Sequence, residues 1–193
     1  MNKTKLALSV SGVGHPLVMI VLVVLALSWS RDPAAAWRIT GFVAVMGLIP
    51  TGWLIWRRWS RHPDAVQDAS LPSTRPILFL TLLAVLLLSG CYFFLVEHSM
   101  FLVRGSAVTA LMVAVAAVLN RWIKLSLHLA FAVYAGVILA RVQVAYGLPV
   151  LLMVPFLAWA RLVLGRHTLV EVIGGSALGF GAAVILTVFW YHG

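Results

Sequence analysis

The sequence predicts an all-α protein, a polytopic transmembrane helical bundle with six to seven spans. Of its 193 residues, 63% are apolar and only 10% are charged, whereas a soluble domain carries about a quarter charged residues. The mean hydropathy is +1.05, and the apolar residues form runs long enough to cross a bilayer as helices. This composition excludes a disordered chain, a secreted disulfide scaffold and an ordinary cytosolic enzyme. We expect an integral membrane protein of a bacterial inner membrane.

The apolar runs are separated by charged residues, proline and glycine, which mark the ends of helices. The first run is the one that we expect to lie partly in the membrane interface if the count is six. With no repeat and no second hydrophobic core in the pattern, residues 1–193 are predicted to form a single transmembrane domain. The spans are predicted at roughly 8–29, 36–56, 77–96, 101–120, 127–145, 148–164 and 169–190.

The chain has fourteen Lys and Arg residues and five acidic residues, which gives a net charge of +9. Most of these cations lie at the ends of apolar runs, where they meet lipid headgroups or phosphate. We therefore expect membrane lipids as partners and no nucleic acid. Counting crossings places the segments 57–76, 121–126 and 161–168 on one side of the membrane. Their positive charge favours the cytoplasmic side, although cations that bind a substrate would bias this count, so the side stays open.

Arg161, His167 and Glu171 form the first polar cluster at the border of a span. His167 and Glu171 are four residues apart and share one face of a helix. A carboxylate there accepts a hydrogen bond from one imidazole nitrogen and makes the other more basic, as in an oriented nucleophile or base. Arg161 supplies a guanidinium, which binds phosphate in a bidentate manner. Gly165 permits the turn between the two helices.

Lys124, Ser126 and His128 form the second polar cluster, at the start of another span. The ammonium and hydroxyl groups are phosphate ligands, and a helix N-terminus favours an anion. His128 is suited to protonate a leaving group. Taken together, two His, one carboxylate and several cations on one face, without an acidic metal-binding motif, indicate metal-independent phosphoryl transfer. No cofactor and no metal ion are predicted.

The segment from Ala160 to Gly175 resembles the third motif, SRx5Hx3D, of the type 2 phosphatidic acid phosphatase (PAP2) superfamily. It differs by Ala160 in place of Ser and Glu171 in place of Asp. Lys124-Leu-Ser-Leu-His128 is similar to the second motif, PSGH, with Leu in place of Pro and Gly. The resemblance covers about residues 100–190, which we expect to form a PAP2-like core.

The resemblance implies a role for each matched residue. His167 would be the nucleophile that forms a phosphohistidine, and Glu171 would orient it. His128 would be the general acid for the leaving group, whereas Arg161 and Ser126 would bind the phosphoryl group.

The first family motif, Kx6RP, is matched only in part. Arg75-Pro76 supplies its RP, but Asp68 stands where the family has Lys. The usual place of this motif, before the second one, holds Asn120, Arg121 and Lys124 instead. We therefore predict Lys124 and Arg121 as phosphate ligands and keep Arg75 as a further candidate.

The resulting hypothesis is a phosphatase that hydrolyses a phospholipid or a polyprenyl phosphate or diphosphate. The alternatives are a lipid phosphotransferase with the same site, a catalytically inactive PAP2-like binding or scaffold protein, and a b-type cytochrome with His128 and His167 as haem ligands. The identity of the lipid phosphate and the oligomeric state stay open. His15 and His98 are assigned no role, and Gly175 and Gly179 are predicted to pack a helix face.

Overall fold

The computed structural model describes residues 2–60 and 75–191, and within these ranges every regular element is an α-helix. Within these two ranges, five stretches are long and apolar enough to cross a membrane: Lys3–Trp29, Pro76–Leu95, Met100–Leu119, Val144–Val163 and Leu169–Val188. Two further apolar helices are shorter, and whether the chain crosses six or seven times stays a prediction. The helices are α1 (Lys3–Val13), α2 (Pro16–Trp29), α3 (Pro33–Ser60), α4 (Arg75–Leu95), α5 (Met100–Leu119), α6 (Leu127–Val142), α7 (Val144–Val163) and α8 (Leu169–Tyr191).

Each apolar run of the sequence is helical, but the first run is split in two. The chain leaves α1 at Gly14, and His15 has an extended backbone before Pro16 begins α2. Proline is favoured at this first helical position because its missing N–H would have no partner there. The two halves pack on different neighbours, since α1 contacts α7 whereas α2 contacts α3 and α6.

The start of α7 differs from the prediction, in which residues 146 and 147 separate the spans 127–145 and 148–164. The helix begins at Val144 and includes both residues. Gly147 is needed for the close approach of two helices, because a Cβ there would collide with the backbone of Ala140 in α6. Tertiary packing of α6 against α7 therefore keeps in the helix a glycine that the sequence pattern assigned to a turn.

The centre of the bundle is α6, which packs against α2, α7 and α8. Its buried face carries Phe131 and Ile138 together with small residues such as Ala132. Outside this central group, α4 packs closely against α5. This arrangement brings the first residues of α2, α6 and α8 to the same end of the bundle, where the last residues of α7 also lie.

Candidate functional site

His167 is held in a short, doubly fixed turn between α7 and α8. The C-terminal end of α7 is closed by two backbone hydrogen bonds, from Gly165 N–H to Leu162 C=O (3.0 Å) and from Arg166 N–H to Arg161 C=O (3.1 Å). These bonds form a Schellman motif, which needs a left-handed residue after the helix. Gly165 has that conformation, with φ of 62°, which confirms the predicted turn.

The start of α8 is closed by a capping box made of Thr168 and Glu171. The Thr168 N–H donates to Glu171 Oε2 at 3.0 Å, and the Glu171 N–H donates to Thr168 Oγ1 at 3.4 Å. Reciprocal bonds of this kind satisfy two N–H groups at a helix start. Only His167 lies between Arg166, the last residue of the Schellman motif, and Thr168, the first residue of the capping box. The position of His167 is therefore tightly defined.

The His167 ring is oriented by two acceptors on the same nitrogen. Its Nδ1 lies 3.0 Å from Glu171 Oε2 and 3.1 Å from the Lys124 carbonyl oxygen. Because both partners only accept, Nδ1 carries the proton, and in the neutral ring Nε2 keeps its lone pair. This is the tautomer that a histidine nucleophile or base requires.

The surroundings keep His167 neutral. Burial and the neighbouring charge of Arg161 lower the pKa of His167 below its ordinary value of 6.5, and they outweigh the hydrogen bond to Glu171, which raises it. The side chain is only 7% exposed. At neutral pH the lone pair on Nε2 is therefore present.

The His167 side chain lines a cavity of about 460 Å³. The polar part of its wall comes from the ends of the helices, whereas α2, α3 and α4 contribute mainly apolar side chains such as Ile20, Val43 and Leu82. Such a combination suits a molecule with a polar head and a hydrocarbon body. The polar part at the helix ends consists of Ser11, His15, Asn120, Lys124, His128, Arg161, Arg166 and His167, and Thr51 and Ser89 are polar residues within the mainly apolar part.

The polar part of the cavity is strongly cationic. Lys124, Arg161 and Arg166 contribute to it, and no acidic side chain lines the cavity among the described residues. Helix N-termini carry partial positive charge. Three histidines of the wall stand at such ends, namely His15 before α2, His128 in the first turn of α6 and His167 before α8. The cavity therefore favours an anion.

Arg161 is 6% exposed although it carries a full charge. Its Nη1 donates a hydrogen bond of 3.0 Å to Ser11 Oγ, which comes from α1. This bond attaches the guanidinium to α1. Holding an arginine in one place in this way lowers the entropy cost of binding an anion.

The structure brings most of the predicted residues together. His128, Arg161, Lys124 and His167 line the same cavity, and Glu171 lies behind His167 in the position of an orienting group. Two of the three segments predicted on one membrane side, 121–126 and 161–168, are in direct contact through His167 Nδ1 and the Lys124 carbonyl oxygen. The Ser126 N–H also donates to the Glu171 C=O in α8, at 3.1 Å.

Two predicted phosphate ligands lie outside the cavity wall, and the side chain of a third is not described. Ser126 is fully buried and is absent from the described cavity wall, and its hydroxyl has no hydrogen-bond partner among the described residues. Arg121 is exposed and lies outside that wall. The side chain of Arg75 lies outside the described part of the chain, as does Asp68. Proximity in sequence to a helix end thus does not decide which side chain turns inward.

Six polar residues of the cavity wall were not predicted as site residues: Ser11, His15, Thr51, Ser89, Asn120 and Arg166. One signal for His15 was present, because a polar residue inside an apolar span is usually functional and Pro16 after it favours a helix start. Asn120 stands at the usual place of the first family motif, whereas Ser11 carries no such signal. Among the described residues, no three His, Cys, Asp or Glu side chains are grouped to hold a metal ion.

No family model, curated protein or solved structure matches this chain. The resemblance to the PAP2 superfamily therefore stays a prediction.

Proposed function

We propose that this protein is a membrane-embedded lipid-phosphate phosphatase that works through a phosphohistidine on His167. The observation that carries the proposal is the pair of acceptors on His167 Nδ1, which leaves Nε2 unprotonated at a cationic cavity. Neither the oriented histidine nor the cationic cavity indicates this reaction by itself. Together they supply a nucleophile and a binding site for the anion that it attacks.

In the first step, His167 Nε2 attacks the phosphorus atom, and the bond from phosphorus to the leaving oxygen breaks. The bound phosphate anion favours the protonated form of His128. His128 donates this proton to the leaving oxygen, so that a lipid alcohol, or a lipid monophosphate in the case of a diphosphate, departs. Arg161, Arg166 and Lys124 offset the negative charge of the transferring group. The phosphorylated ring is a cation with a proton on Nδ1, which the Glu171 carboxylate stabilises.

In the second step, a water molecule attacks the phosphohistidine. His128, now neutral, takes a proton from this water, the bond between phosphorus and Nε2 breaks, and inorganic phosphate leaves. Both histidines then return to their starting states, so the cycle needs no further reactant. No metal ion has a part in either step.

The cavity also supports a lipid as substrate. Its mainly apolar wall, formed by α2, α3 and α4, is continuous with the cationic part. A water-soluble phosphate ester would leave that wall in contact with water, which costs free energy in proportion to the apolar area. The position of the helices in a membrane gives a lipid access from the bilayer; that this is a bacterial inner membrane stays a prediction.

The test is phosphate release by the purified protein from phosphatidate, phosphatidylglycerol phosphate, a polyprenyl diphosphate and a lipid A phosphate, with and without EDTA. We expect release from at least one of them, undiminished by EDTA, and an acid-labile phosphoryl group on His167. His167→Ala should abolish release. His98→Asn is the matched control, because His98 lies in the α4–α5 turn in a left-handed conformation that Asn tolerates.

Full activity of His167→Ala, or activity that EDTA removes, contradicts the proposal. The same samples separate the alternatives. A phosphotransferase would pass the phosphoryl group to an added lipid alcohol, which mass spectrometry detects. A haem protein would show a Soret band, and an inactive relative would form no phosphohistidine.

A further inference from the structure

His15 lies where the first apolar run is interrupted, and it lines the cavity together with His128 and His167. Its ring contacts the ring of His128 edge to face, with 5.5 Å between the centroids and an interplanar angle of 89°. The chain thus places a third imidazole at the proposed site, and the mechanism above leaves it unused.

The tautomer of His15 follows from its backbone contact. The Leu17 N–H donates to His15 Nδ1 at 3.3 Å, so the imidazole caps the N-terminus of α2 in the way a shorter polar side chain usually does. Nδ1 therefore carries a lone pair, and the proton of the neutral ring is on Nε2. The arrangement is the opposite of that of His167, where Nδ1 donates and Nε2 is unprotonated.

Two contacts hold His15 against the site. Gly14 approaches Leu157 of α7 so closely that an added Cβ would lie 2.6 Å from a methyl group of that leucine. Ser11 accepts the hydrogen bond from Arg161, also in α7. Both contacts attach the end of α1, directly before His15, to the helix that carries the buried guanidinium.

We infer that His15 is a phosphate-binding residue, whose Nε2–H donates a hydrogen bond to a non-bridging oxygen of the phosphoryl group. The inference rests on the proposed function. The two neutral imidazoles then have opposite tasks, because the unprotonated Nε2 of His167 is the nucleophile and the protonated Nε2 of His15 is a hydrogen-bond donor. A neutral donor adds to Lys124, Arg161 and Arg166 without adding a charge that would repel them.

The experiment compares His15→Asn with His15→Ala. Asn is among the best N-cap residues, so it preserves the start of α2, whereas Ala does not. Asn is also too short to replace Nε2–H in the cavity. We expect both variants to lose about 10²-fold in kcat/KM for the best lipid phosphate, as when one donor to a reacting oxyanion is removed. Only His15→Ala should also have a lower thermal midpoint.

Binding of orthovanadate, measured by calorimetry, gives a readout independent of turnover. We expect His15→Asn to bind vanadate at least tenfold more weakly than the wild type, and His98→Asn to bind it equally well. If capping were the only role of His15, the Asn variant would match the wild type in both measurements, and the inference would be wrong. A wild type that neither releases phosphate nor binds vanadate overturns the proposed function and this inference with it.

Discussion

At the scale of single residues, Glu171 combines a structural task with a chemical one. One of its oxygens, Oε2, accepts both from the Thr168 N–H and from His167 Nδ1, each at 3.0 Å. A capping box takes Glu or Gln at this position of the helix because the side chain must reach back to the first residue. The arm of Glu, longer by one methylene than that of Asp, serves that contact and the imidazole at once.

The two tasks of Glu171 can be separated by substitution. In Glu171→Gln the amide oxygen retains the capping contact, but the charge that stabilises a phosphorylated imidazole is lost. We expect kcat to fall by at least about 10²-fold, with a thermal midpoint close to that of the wild type. The measurements are steady-state phosphate release and thermal unfolding in detergent.

Thr168→Ala is the matched control for this prediction. It removes the hydroxyl that accepts from the Glu171 N–H and leaves the carboxylate beside His167. Loss of such a cap costs about 1 kcal/mol of stability, and kcat should stay within about twofold of the wild type. Equal losses of kcat in the two variants would show that Glu171 acts only through the helix start.

At the scale of elements, the site depends on how closely α8 approaches α6. A Cβ at Gly175 would lie 2.5 Å from the Ser126 carbonyl oxygen, and one at Gly179 would collide with the Ala130 carbonyl oxygen. These glycines form the small-residue face that was predicted to pack, and such faces let helix backbones approach in membranes. Since α8 carries Glu171, this packing also sets the position of the His167 ring.

A matched pair of glycine substitutions tests this packing. Gly181 is in the same helix, and a Cβ there would meet no atom within 4 Å. Gly181→Ala should leave stability unchanged or raise it by up to about 1 kcal/mol, as expected for Ala over Gly in a helix. Gly179→Ala should lower the thermal midpoint and phosphate release together, because a backbone atom cannot move aside cheaply. Equal stability of the two variants would contradict the packing argument.

At the scale of the whole molecule, a third polar cluster lies away from the cavity, at the turn between α4 and α5. Arg38 of α3 donates two hydrogen bonds to Glu97, of 3.1 and 2.8 Å, and the Tyr92 hydroxyl donates a third, of 2.6 Å. The Glu97 side chain is only 5% exposed. This cluster joins α3 to the end of α4, and none of its residues lines the cavity. We expect it to stabilise the bundle without contributing to the chemistry.

The Glu97 cluster should make stability depend on pH. The hydrogen bond from Arg38 lowers the pKa of Glu97 below its ordinary value of 4.5, so the folded state releases this proton more readily than the unfolded state. The stabilisation is complete above the ordinary pKa and is lost as the pH falls through the folded value. We expect Glu97→Gln to have a lower thermal midpoint than the wild type at neutral pH, with the difference shrinking on acidification.

Thermal unfolding of the wild type and of Glu97→Gln, measured over a pH series, checks this pH dependence. Phosphate release at neutral pH serves as the control. The release rate per folded molecule should be equal in the two proteins, because the cluster and the cavity share no residue. A difference in midpoint that stays constant down to acid pH would show that the Glu97 charge does not contribute.

The sequence determined much of this protein by itself. The prediction of a helical membrane protein follows from composition and from the length of the apolar runs, because every backbone polar group in a bilayer must be satisfied within a helix or a closed barrel. Local spacing also identified His167 with Glu171 and Lys124 with His128, although His167 and Lys124 lie just before their helices and not on a shared helix face as predicted for His167. The turn at Gly165 was predicted because glycine permits backbone conformations that other residues avoid.

Only the tertiary structure decided which polar groups meet. His15 and Ser11 join the site because the break between α1 and α2 packs on α7, a contact between residues far apart in the chain that no local pattern encodes. Ser126 and Arg121 fall outside the described cavity wall. The sequence could not predict this, because a linker has no periodicity that indicates the direction of its side chains. The tautomers of His15 and His167 depend on their hydrogen-bond partners, and for His167 one of these is a carbonyl group brought by folding from a distant segment.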